Sequence, residues 1–189
     1  MIDLLEIDDF LDDASRAALV AELTASAGAA ATVLSRETGG MVQSAVRRTT
    51  RVAVSEATRA AVRARLMARK PEIEAHFGIA LTECEDPQFL RYEEGDFFVP
   101  HQDGNTPMVW DDSRFRRISA VIFLSEKSDD PSEGTYGGGA LLFHAPWPSQ
   151  DRVAAGARPG SLTTFRAETT HEVTPVTHGV RYTIATWFR

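Results

Sequence analysis

A single cysteine, Cys84, is all the thiol chemistry in this chain of 189 residues, so no internal disulfide can staple it. A reducing, cytoplasmic setting follows as the default. Cys84 stands between Glu83 and Glu85, whose charges discourage a thiolate, so it reads as structural rather than nucleophilic. Apolar runs long enough to cross a bilayer are missing, and no membrane partner is expected. The opening residues, MIDLLEIDDFLDD, have neither a basic start nor an apolar core, so no secretory leader is expected. There is no basic excess either. With 27 acidic and 20 basic residues the net charge is −7, which favours solubility and argues against nucleic acid as the partner.

What the chain does have is an ordinary globular balance, 43% hydrophobic and 25% charged, and enough length to bury one core. Residues 8–27 read as a helix opened by Asp8, Asp9, Asp12 and Asp13, with Leu11, Ala18, Leu19 and Leu23 at helical intervals. Residues 36–46, with Gly39–Gly40, read as a mobile loop, and TTRVAV (49–54) as a strand. Ser55 caps a second helix over SEATRAAVRARLMARK, and Pro71 opens a further short helical segment ending at Gly78. From about residue 80 short apolar runs alternate with turn-formers: PQFLRYEEGDFFVPHQD, RISAVIFLS, GGGALLFHAP, GSLTTFR, HEVTPVT and GVRYTIATWFR. The polar segment 127–139 reads as a loop. The pattern predicts an α+β chain with a double-stranded β-helix (jelly-roll) core and N-terminal helices packed on the outside of one sheet. It is read as a single domain, 1–189, in which 1–80 is a helical support with a first strand and 81–189 is the core.

One run does not suit a protein interior. FFVPHQDGN (97–105) starts apolar and ends on His101 and Asp103, groups that are costly to bury unpaired. Two apart on a strand, they can reach one point and make two corners of a metal site. Of the other histidines, His76 lies in a helix, His144 interrupts an apolar strand and His178 sits in the turn THG. His171 opens a late strand and is the candidate third ligand. Two neutral imidazoles and a carboxylate leave three adjacent positions open, as in non-haem Fe(II) oxygenases, although zinc hydrolases use similar sets. In RYTIATWF, alternation puts Arg181, Thr183, Ala185 and Trp187 on one face and Tyr182, Ile184, Thr186 and Phe188 on the core face. A buried arginine needs an anion, and its planar fork matches a carboxylate.

Taken together, HQD at 101–103, His171, and RYT at 181–183 resemble the 2-oxoglutarate- and Fe(II)-dependent dioxygenases, and within them the prolyl-4-hydroxylase-like group. YEEGDFFVPHQD, GGGALLF and RYTIATWF resemble that group's patterns, and the resemblance covers residues 86–189. It implies that His101, Asp103 and His171 bind Fe(II), and that Arg181 holds the distal carboxylate of 2-oxoglutarate with Thr183 assisting. Tyr92 would lie near the co-substrate or substrate. Trp187 matches a pocket-lining aromatic, with a core role as the alternative. Where some members carry a co-substrate-binding tyrosine this chain has Phe123, which leaves the polar contacts to Arg181 and Thr183. No catalytic residue is implied beyond the iron site, and Asp103 speaks against halogenating members, whose residue at that position is small.

The resemblance therefore implies a dioxygenase that couples decarboxylation of 2-oxoglutarate, with O2 and ascorbate as reductant, to hydroxylation of a C–H bond. A prolyl residue in a protein or peptide is the leading substrate, with a free amino acid or other small molecule as the alternative. The segment 36–48 is the candidate substrate gate. Two rival readings differ in chemistry. A zinc, manganese or nickel hydrolase or isomerase would have no use for an inward Arg181. A non-catalytic module would bind metal or 2-oxoglutarate without forming succinate.

Overall fold

The computed structural model describes residues 2–31, 33–35, 39–41, 43–105 and 111–189. The chain opens with β1 (Leu4–Ile7), turns at Asp8–Asp9, where Asp9 adopts φ 54°, and enters α1 (Asp13–Ala25). The sequence reading starts this helix at residue 8. Pairing of Leu4–Ile7 with a later strand instead keeps that segment extended, and the helix begins after Asp12, whose carboxylate accepts the Ser15 N–H at 2.7 Å. Next come β2 (Gly28–Ala30), β3 (Val33–Ser35), β4 (Gly39–Met41), β5 (Arg47–Arg48) and β6 (Thr50–Val52). Sequence reading foresees a single strand here. These segments are short and lack alternation, so tertiary pairing rather than local propensity makes them strands. The loop expected at 36–46 contains β4, which pairs with β3. Residues 36–38 and 42, and with them part of the candidate gate, lie outside the described residues.

The second helix, α2 (Glu56–Phe77), runs straight through Pro71, where sequence reading places a break. Proline inside a helix loses a hydrogen bond and costs about 3 kcal/mol. Burial of Val62 and Leu66 before it, and of Ile73 and Phe77 after it, outweighs that cost. Ser55 caps the start and Gly78, at φ 64°, ends it, donating its N–H to the Glu74 carbonyl at 2.9 Å.

Beyond α2 lie β7 (Gln88–Tyr92), β8 (Phe97–His101), β9 (Ile118–Phe123), β10 (Glu126–Lys127) and β11 (Thr135–Gly138). They are followed by β12 (Leu141–His144), β13 (Arg152–Ala154), β14 (Leu162–Arg166), β15 (His171–Val173), β16 (Val176–Gly179) and β17 (Arg181–Phe188). Two expectations change. The segment 127–139 ends in β11, and His178 lies in β16 opposite Gly137 rather than in a turn.

Among the described residues the strands make open sheets rather than a closed barrel. A seven-stranded sheet has the order β1-β14-β9-β17-β7-β6-β2, and a five-stranded sheet the order β13-β12-β15-β8-β5. The larger sheet has two different faces. On one, Ile118, Ala120 and Ile122 of β9, Leu162 of β14, and Tyr182, Ile184 and Phe188 of β17 form a cluster with Leu19, Leu23, Val62, Leu66, Ile73 and Phe77 of the helices. On the other, Leu90, Tyr92, Phe123 and Phe165 meet Leu141, Phe143 and Val173 of the smaller sheet. Cys84 bridges to Phe188 and is buried, which pushes its thiol pKa up.

Candidate metal centre

Register brings the two histidines together. β15 pairs antiparallel with β8 so that His171 stands directly opposite His101. Asp103 lies just past the end of β8 and is held by its backbone, whose N–H donates to the Ala167 carbonyl at 2.9 Å. The ligand-type atoms of His101, Asp103 and His171 all lie within 4.8 Å of one another. His101 Nε2 is 3.6 Å from one carboxylate oxygen of Asp103, and His171 Nε2 is 3.5 Å from the other.

The ring orientations suit a metal. His101 Nδ1 lies 2.8 Å from the Val99 carbonyl and His171 Nδ1 lies 2.9 Å from the Thr169 carbonyl. A carbonyl only accepts, so each Nδ1 carries a proton and each Nε2 is turned toward Asp103. Burial, reinforced by the neighbouring His101, pulls the His171 pKa down to about 4, so the ring is neutral at physiological pH and free to ligate. For Asp103 burial alone would raise the pKa. In acid, charge on the two imidazoles, with the Ser119 hydroxyl donating at 2.7 Å, outweighs it and holds the carboxyl well below its usual range. The donor set and its protonation fit a two-histidine, one-carboxylate iron site.

The same cavity, about 470 Å³, is lined by the triad and by Tyr92, Arg181, Thr183, Ala185 and Trp187. Arg181 is 1% exposed. Its only hydrogen bond among the described residues is a long one, 3.4 Å, to the Thr183 hydroxyl, and its buried Nε has no partner. The guanidinium lies 5.0 Å from the Tyr92 ring centre and 5.6 Å from that of Phe123. Phe123 itself, an expected lining residue, is buried behind the arginine and does not line the cavity. The glycine run makes room for this side chain. A Cβ on Gly139, at φ 54°, would come within 2.9 Å of Arg181 Cδ. A buried cation without an anion is costly, and an anion entering the cavity at this end would offset that cost.

The profile of the 2OG-Fe(II) oxygenase superfamily matches residues 87–189, which contain all of these side chains. The chain belongs to this superfamily. A PKHD-type hydroxylase of Shewanella sp. strain MR-7 is 34% identical over 104 residues, covering 54% of this chain and 42% of that protein. One from Paracoccus denitrificans is 35% identical over 103 residues, covering 53% and 41%. The match thus spans about two fifths of the length of these curated relatives. Among solved structures, a Pseudomonas putida prolyl-4-hydroxylase superposes with a TM-score of 0.70 at 20% identity, covering 100% of this chain and 93% of the other. A Trichoplax adhaerens prolyl hydroxylase, in complex with a hypoxia inducible factor peptide fragment, gives 0.70 at 15% identity, with coverage of 100% and 84%. These likenesses establish a shared jelly-roll fold.

In this superfamily member some site residues escape the sequence reading. Ser119 is one, although alternation in ISAVIF puts it on the same face as Val121 and Phe123 and so pointed to it. Arg116 is another. Its guanidinium lies 3.6 Å over the Trp187 ring while Glu85 holds it through two oxygens, so it braces the cavity wall. The remaining histidines lie outside the cavity lining. His144 Nε2 sits 3.1 Å from Glu172, and His76 Nε2 sits 3.0 Å from Asp3. No described helix is long and apolar enough to cross a membrane.

Proposed function

We propose that this chain is an Fe(II)- and 2-oxoglutarate-dependent dioxygenase that hydroxylates a C–H bond, with a prolyl residue of a protein or peptide as the leading substrate. One observation carries the reading. Arg181, buried and without an anionic partner among the described residues, lines the same cavity as the His101, Asp103 and His171 cluster. A metallohydrolase has no use for that cation, whereas a diacid co-substrate anchored at one end needs it at the other.

His101, Asp103 and His171 would hold the iron through Nε2, a carboxylate oxygen and Nε2. When bound, the metal supplies the oxygen chemistry that couples decarboxylation of 2-oxoglutarate to succinate and CO2 with transfer of one oxygen atom to substrate. The protein's own residues do the rest. Arg181 neutralises the far carboxylate, and Thr183 adds a hydroxyl beside it. Tyr92 and Phe123 flank the guanidinium, leaving the cavity as its open direction. Val99 and Thr169 fix the imidazole tautomers, and Ser119 fixes the carboxylate. The prolyl substrate is carried over from the likeness to prolyl hydroxylases, one of them holding a peptide.

The test is an anaerobic titration of the protein with Fe(II) and 2-oxoglutarate. A weak visible charge-transfer band should form in the wild type and vanish in Arg181→Ala and in Arg181→Gln, while Fe(II) binding persists. A band of unchanged strength in both variants, or no succinate on admitting air with prolyl peptides, would count against the reading.

A further inference from the structure

We propose that Phe98 is a positioning residue for the metal ligand His101: its ring fixes the plane of the imidazole, and a bulge in β8 brings it there. The inference rests on the metal triad of the oxygenase reading and adds to it the group that keeps one ligand aimed.

Three apart on a regular strand, Phe98 and His101 would point to opposite faces. The pairing with β15 removes that conflict. His101 stands opposite His171 and Phe98 opposite Val173, so three steps of β8 are matched by two of β15. Val99 and Pro100 therefore share Glu172 as their counterpart, which is a β-bulge, a device that re-aims side chains. The local sequence suits it. Pro100 has no N–H to withdraw from the ladder, and Val99 donates its own to the Val46 carbonyl at 3.0 Å. With the bulge in place, Phe98 and His101 both line the cavity.

The Phe98 ring lies flat on the imidazole, with ring centres 3.5 Å apart and planes within 16° of parallel. That contact does what the hydrogen bond to the Val99 carbonyl cannot. The bond pins Nδ1, but the ring can still swing about the line from Nδ1 to the oxygen. A flat neighbour at van der Waals distance stops the swing, so Nε2 keeps its direction.

The two histidines differ in what else holds them. His171 is 5% exposed, with the Phe165 ring edge-on at 4.7 Å and Phe143 at 6.3 Å. Core packing fixes it. His101 lies in the cavity wall with its side chain 18% exposed, its ring centre 4.2 Å from that of His171. It needs a support of its own, and Phe98 supplies it, backed by the Arg47 guanidinium 4.8 Å over the Phe98 ring.

Titration of metal-free protein with Co(II) tests the proposal without turnover, because the ion reports both affinity and ligand geometry. Phe98→Leu and Phe98→Met keep an apolar side chain and lose the flat ring. Each should bind Co(II) about tenfold more weakly, and the visible bands of the saturated protein should shift in position and intensity. The melting temperature of the metal-free variants should stay close to that of the wild type. Phe98→Tyr keeps the ring and should restore both affinity and spectrum. Wild-type affinity and bands in the Leu and Met variants, or a Tyr variant as impaired as they are, overturns the proposal. A wild type that takes up no Co(II) overturns it together with the metal triad. A missing 2-oxoglutarate band with Fe(II), by contrast, sinks the oxygenase reading and leaves the Co(II) result standing.

Discussion

The two faces of the seven-stranded sheet share the same strands and do opposite things. Along β9, Ile118, Ala120 and Ile122 meet the helices, while Ser119 points the other way and holds Asp103. Along β17, Tyr182, Ile184 and Phe188 pack outward, while Arg181, Thr183, Ala185 and Trp187 line the cavity. The outer face is apolar and carries stability through area removed from water. The inner face buries a guanidinium that has no anionic partner among the described residues, and it faces a carboxylate set between two imidazoles across the cavity, an arrangement that costs stability unless ligands arrive. Fold and chemistry are thus separated by the pleat of a single strand, with a period of two residues.

Substitutions on each face should therefore fail in different assays. The largest effect is expected from His171→Ala, which removes a ligand from the inner side. Metal affinity, read by titration with Fe(II) or Co(II), should fall by more than about a hundredfold, since removal of mere supporting groups already costs 10–100-fold. Its thermal unfolding should move little. Ile184→Ala, on the outer face of β17 in the larger sheet, should do the reverse. Stability in urea should drop by about 2–5 kcal/mol, with metal affinity of the folded protein unchanged. If both variants lost both properties, the division between faces would fail.

A pH titration sharpens the comparison, because the strained groups sit on the cavity side. His171 takes up its proton near 4 in the metal-free fold but near 6.5 in the unfolded chain. Between those values the unfolded chain binds the extra proton, so stability rises with pH across the window and is lost as pH falls through it, by about 3 kcal/mol in total. Denaturant midpoints of metal-free protein at pH 7 and pH 4.5 measure this, and His171→Asn should flatten the slope. The smallest effect is expected at Ser119. Ser119→Ala should weaken metal binding about tenfold by freeing the Asp103 carboxylate, with Ser119→Thr restoring part of it.

Much of this was legible in the chain itself. The facing of β17 follows from its alternation, and His101, Asp103, His171 and Arg181 stand out as polar groups placed where apolar ones belong. Other features gave no signal. Pro71 reads as a break because local propensity says so, yet burial of Ile73 and Phe77 carries α2 through it. β2 and β4 are built from Gly and Ala or Gly and Met, residues with no strand preference, and exist because neighbouring strands pair with them. β2 takes its partner from β6, some twenty residues on, which no local pattern encodes, whereas β4 pairs with the adjacent β3.

What the sequence determined alone is the inventory and its periodicity: which side chains can ligate, which can meet a carboxylate, and which face of each late strand is apolar. The tertiary structure decided that His171 stands opposite His101, that Val99 and Thr169 turn both Nε2 atoms inward, and that Ser119 reaches Asp103. The reason is physical. Periodicity is set by bond geometry within a few residues, whereas register between strands 70 residues apart on the chain is set only when both faces find their packing partners.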